Sequence, residues 1–84
     1  MTGPRVTLYT RAGCHLCDDA RAVVERVCAE LGEEYAEVDV DTDPAVGPDL
    51  RSRLSDEVPV TYVDGRQHDF WRVDEQRLRA ALAG

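Results

Sequence analysis

From His15 to Leu31 the apolar residues fall at Leu16, Ala20, Val23, Val24, Val27, Cys28 and Leu31, the three-and-four spacing of a helix with one inward face. Gly32 follows as a stop signal. Ahead of this segment, Val6 to Thr10 is rich in β-formers and runs into a loop at Gly13, which predicts a first strand. Tyr35 to Val40 alternates, with Ala36, Val38 and Val40 on one side against Glu37 and Asp39, and predicts a second strand. A helix between two strands makes them parallel. Asp41-Thr42-Asp43-Pro44 is turn chemistry. Val46, Leu50 and Leu54 then share a helical face, but Gly47-Pro48 interrupts it, so a second helix is short or irregular. Val58 to Val63 and Gln67 to Trp71 flank Asp64-Gly65-Arg66, a hairpin signal. Phe70 and Trp71 point to opposite faces of that last strand, with Phe70 expected in the core. Asp74 to Ala83 closes the chain as a helix carrying Leu78, Ala81 and Leu82 inward.

The order is therefore β-α-β-α-β-β-α. With 84 residues there is room for a single domain, residues 1–84, that buries roughly 60% of its unfolded surface. A hydrophobic share of 43%, a charged share of 32% and a net charge of −7 fit a globular chain and argue against nucleic acid or an anionic membrane as partner, because both select a basic face. Met1-Thr2-Gly3-Pro4-Arg5 contains no apolar signal region, and no apolar run reaches the length of a membrane span, so a cytoplasmic monomer is expected. All ten basic residues are Arg, and Lys, Ile and Asn are absent, the coding bias of a GC-rich bacterial genome.

Cys14-His15-Leu16-Cys17 lies between the first strand and the long helix. That spacing puts two sulfurs one helical turn apart, close enough to bridge, beside the unpaired N–H groups of a helix start. Partial positive charge there favours a thiolate, the reacting form in disulfide exchange. Three readings stand: a redox pair, half of a metal site, or idle thiols. A zinc site takes about four ligands, and the chain has no second Cys-x-x-Cys or paired histidines to complete one. In the redox reading Cys14 is the accessible nucleophile and Cys17 resolves the mixed disulfide. His15 is either a cation that tunes Cys14 or an exposed helix-start residue, and Asp18 and Asp19 oppose thiolate formation while favouring the helix. Cys28, roughly 21 Å along the helix from Cys14, reads as a buried structural thiol. Glu37 and Asp39 read as a solvated edge, not an acid-base pair.

This element order, with Cys-x-x-Cys at the first strand-to-helix junction and Val58-Pro59 opening the third strand, resembles the thioredoxin fold in its minimal glutaredoxin-like form: an α/β domain with a four-stranded mixed sheet and three helices. Tyr9-Thr10-Arg11-Ala12-Gly13-Cys14-His15-Leu16-Cys17 is similar to the glutaredoxin active-site stretch, with Arg11 where that family commonly has Lys. The resemblance implies a redox disulfide between Cys14 and Cys17, a cis-proline at Pro59, and substrate contacts from Arg11, Val58 and Pro59. It departs in two places: His15-Leu16 replaces Pro-Tyr, and His68 to Val73 replaces the Gly-Gly approach to glutathione, so glutathione is expected to be a poor direct partner. The match is nearest to small bacterial glutaredoxin-like proteins of undefined substrate. The expected function is thiol–disulfide oxidoreduction of a protein disulfide or small-thiol substrate, with no bound cofactor and with glutathione, another low-molecular-weight thiol or a reductase as electron donor. The alternative is a redox-inactive or iron–sulfur-cluster-binding adaptor on the same fold.

Overall fold

Val6 and Leu8 are fully buried on one face of the first strand, while Thr7 and Tyr9 turn to the other, and this alternation puts helices on both sides of one sheet. The computed structural model describes residues 3–83; Met1 and Thr2 of the N-terminal run and Gly84 of the expected domain lie outside the described residues. The elements are β1 (Val6–Thr10), α1 (His15–Leu31), β2 (Tyr35–Asp39), α2 (Pro48–Leu54), β3 (Val60–Val63), β4 (Arg66–Phe70) and α3 (Glu75–Ala83). The sheet order is β2-β1-β3-β4, with β1 parallel to β2 and both other pairings antiparallel. This is the expected fold: a minimal thioredoxin-type α/β domain with a four-stranded mixed sheet and three helices.

One core lies between the sheet and α1 with α3: Val6, Leu8, Ala20, Val24, Val27, Cys28, Val63, Leu78 and Leu82. A smaller one, Val40, Leu54 and Val60, lies under α2, with Tyr9 and Tyr62 edge-to-face beside it at 5.3 Å. Gly47-Pro48 starts α2 instead of interrupting it, because proline has no N–H to lose at a first helical position. Asp64 and Gly65 both have positive φ, 52° and 83°, the pair of values a two-residue hairpin turn demands. Arg5 braces this end of the sheet, donating to Asp64, Glu33 and the Leu82 carbonyl. No helix among the described residues is long and apolar enough to cross a membrane.

The structure differs from expectation at the end of β4. Phe70 is not in the core: it is 47% exposed and Trp71 is 51% exposed, because β4 ends at Phe70 and Trp71 turns away with φ 62°. Glu37 is exposed on the outer strand β2, as expected, and there Arg21 of α1 grips both its oxygens at 2.7 and 2.6 Å while the Thr10 hydroxyl donates to it at 3.1 Å.

Candidate active site at the start of α1

The loop after β1 turns at Gly13, φ 75°, and delivers Cys14 to the first position before α1. Cys14 has extended backbone angles, and its sulfur accepts the Cys17 N–H at 3.1 Å, taking the place of the oxygen that usually caps a helix start. Cys14 and Cys17 are joined as a disulfide with Cα atoms 5.2 Å apart. Cys14 is half-buried; Cys17 is 1% exposed. An incoming group therefore meets Cys14 first. Cys28 is a free, buried thiol whose pKa is raised by burial and by nearby Glu33.

Tyr9 pairs with Val60, so Pro59 comes to the same end of the sheet as the Cys14 loop. The Val58–Pro59 peptide bond is cis and Pro59 is buried. The Val58 N–H donates to the Leu54 carbonyl at 3.1 Å. Arg11 is spent within the chain: its Nε and Nη2 reach both oxygens of Asp41, and its Nη1 and Nη2 donate to the Ser55 carbonyl and hydroxyl at 3.1 Å. Arg11 in turn holds the Asp41 carboxyl below its usual range. His15 is exposed and has no side-chain hydrogen bond among the described residues. Asp18 is paired with Arg21 at 2.8 Å.

Three residues at this end went unread as partners in the sequence: Asp41, Ser55 and Trp71. The first could have been found. Once β1 and β2 are parallel neighbours with Thr10 beside Asp39, Arg11 and Asp41 both lie just past the strand ends. Trp71 lines a cavity of about 260 Å³ with Leu16, Asp19, Ala20, Val23, Arg72 and Val73, and so shares it with one of the two residues between the cysteines. An iron–sulfur cluster takes about four cysteine ligands. This end of the chain offers two, one of them buried, so the residues present do not by themselves fit one.

A mixed sheet with this order and a Cys-x-x-Cys opening its first helix defines a protein of the thioredoxin fold. The chain belongs to the family described as Glutaredoxin-like domain (DUF836), whose model matches residues 5–83. Its relatives include uncharacterized proteins of Mycobacterium tuberculosis and Mycobacterium bovis, each 43% identical over 84 residues, 99% of this chain and 87% of theirs. Among solved structures it is similar to target protein XcR50 from X. campestris, at 37% identity and TM-score 0.69, covering 93% of this chain and 95% of that one. A glutaredoxin of Archaeoglobus fulgidus has the same fold at 16% identity and TM-score 0.63, covering 96% and 88%.

Proposed function

We propose that this protein is a thiol–disulfide oxidoreductase that cycles Cys14 and Cys17 between disulfide and dithiol. The observation that carries the reading is the unequal burial of the two sulfurs at a helix start. In the reduced protein the Cys14 thiolate attacks a substrate disulfide, forming a mixed disulfide and releasing one substrate thiolate. The Cys17 thiolate then attacks the Cys14 sulfur, releases the second substrate thiolate and closes the Cys14–Cys17 bond. The substrate gains two electrons and the protein loses two. An external dithiol or two equivalents of a small thiol returns them.

A protein disulfide is the favoured substrate. Arg11 is already neutralised by Asp41, and Trp71 and Arg72 line one cavity with Leu16, next in sequence to Cys17, which leaves little to capture a small acidic thiol. We place the reaction in a reducing cytoplasm, carried out by a monomer.

A Cys17→Ser variant tests the reading by holding protein substrates as mixed disulfides on Cys14. Dithiol-driven reduction of insulin should proceed with the unmodified chain and vanish in Cys14→Ser. Equal insulin reduction by Cys14→Ser, or mixed disulfides formed on Cys28 instead, would remove the reading.

A further inference from the structure

Between β4 and α3 the chain bends through Trp71-Arg72-Val73, and these three residues form one wall of the cavity whose other wall is Leu16, Asp19, Ala20 and Val23 of α1. The bend does little to hold its own shape. Its internal backbone hydrogen bond among the described residues runs from the Arg72 N–H to the Phe70 carbonyl at 2.8 Å, a three-residue turn centred on Trp71. Trp71 has φ 62° there, in the left-handed region that a bulky residue keeps only where surrounding contacts enforce it.

The enforcing contacts converge on Asp69, just before the bend. A bulge in β4 leaves His68 unpaired and sets Asp69 opposite Thr61, which is fully buried. The Asp69 carboxylate accordingly turns inward, toward α3, and is only 15% exposed. A carboxylate so placed needs partners. Its Oδ1 accepts Arg77 Nη1 at 2.7 Å, and its Oδ2 accepts the Asp74 backbone N–H at 3.2 Å. Asp74 itself caps α3, its Oδ1 accepting the Arg77 backbone N–H at 3.0 Å. One side chain thus joins the strand entering the bend to the helix leaving it.

We propose that Asp69 is a positioning residue for substrate selection: by pinning the start of α3 to β4 it holds Trp71 as a fixed wall across from Leu16, so that a protein substrate meets a preformed surface beside the cysteine pair. A wall already in place costs a substrate no ordering on binding. The selection rests on the oxidoreductase reading; the pin does not.

Trp71 is the chain's single tryptophan, so its fluorescence reports on the wall directly. Asp69→Asn keeps the side chain's shape and an acceptor for the Asp74 N–H but removes the charge that holds Arg77. Acrylamide quenching of Trp71 should increase in this variant, and KM for insulin should rise roughly fivefold, the scale of one contact no longer held in place. Turnover of bis(2-hydroxyethyl) disulfide, which brings no side chain to that wall, and the Cys14–Cys17 reduction potential should stay unchanged. Arg77→Gln leaves the carboxylate and its bond to Asp74 intact; it should move quenching and insulin KM the same way by a smaller amount, and it decides the matter should Asp69→Asn fail to fold. A lowered thermal midpoint with quenching and insulin KM unchanged would mean a structural role only and would overturn the proposal, as would equal losses on insulin and the small disulfide. If the unmodified protein reduces neither, the oxidoreductase reading falls, and quenching alone decides the pin: increased quenching upholds it, unchanged quenching overturns it.

Discussion

Arg11 and Asp41 form a two-pronged ion pair, Nε to Oδ2 at 2.8 Å and Nη2 to Oδ1 at 3.1 Å, across the ends of two neighbouring parallel strands. The fork geometry suits a guanidinium and a carboxylate better than a lysine could. The pair ties the loop that carries Cys14 to the segment following β2, and the same guanidinium reaches Ser55, three residues before Val58. A charge that could recognise a substrate carboxylate is thereby already satisfied.

Asp41→Asn should release it. Arg11 keeps its bonds to Ser55 but loses its anionic partner, so the KM for glutathione in coupled disulfide reduction should fall, by up to about fivefold on the scale of an exposed ion pair. Steady-state kinetics with glutathione check this, and an unchanged KM in Asp41→Asn would place Arg11 away from the thiol's carboxylate. The unmodified chain should be a weak user of glutathione.

Cys28 should be silent until the protein unfolds. Burial and Glu33 both push its thiol pKa up, so alkylation of the reduced native protein near neutral pH should label Cys14 and spare Cys28. Cys28→Ala should cost about 1 kcal/mol, on the scale of one buried methylene, and leave insulin reduction intact. Mass mapping that finds native Cys28 labelled first contradicts both its burial and the role given to Cys14.

Acid should weaken the fold through its paired carboxylates. Arg21, and to a smaller extent the Thr10 hydroxyl, hold the Glu37 carboxyl below its usual range against an opposing effect of burial; Arg5 does the same for Asp64, and Arg26 with Arg79 for Glu75. A depressed carboxyl contributes stability that is present above its unfolded value, about 4, and is lost as pH falls through the lower folded value. The urea midpoint should therefore hold from pH 7 to about 5 and decline below about 4. Glu37→Gln should flatten part of that decline; a curve parallel to that of the unmodified chain would assign the acid sensitivity elsewhere.

Much of the fold is legible in the sequence, and the reason lies in period. The bounds of β1 and α1 follow directly from alternation at Val6–Thr10 and three-and-four spacing at His15–Leu31. Cys14 and Cys17 were found because a short motif carries its own geometry. The rest depends on neighbours distant in sequence: Asp41 reads as turn chemistry, and only the parallel pairing of β1 with β2 brings it to Arg11. Phe70 looked like core because strand alternation assigns it a face, and no local signal says that β4 stops there with Trp71 in a left-handed conformation.

The exposure of Phe70 can be tested by stability. Leu78 of α3 is fully buried, so Leu78→Ala should cost about 2–5 kcal/mol. Phe70→Ala, at a half-exposed position, should cost well under that range. Chemical denaturation of both variants measures the contrast, and equal losses would return Phe70 to the core.

Both outer strands of the sheet carry charge: Glu37 and Asp39 on β2, Arg66 and Asp69 on β4. An open strand edge is a template for any other extended chain, and charges along it discourage such pairing. A concentrated solution of this protein should accordingly resist sheet-to-sheet polymerisation, although its two outer strands are not closed into a barrel.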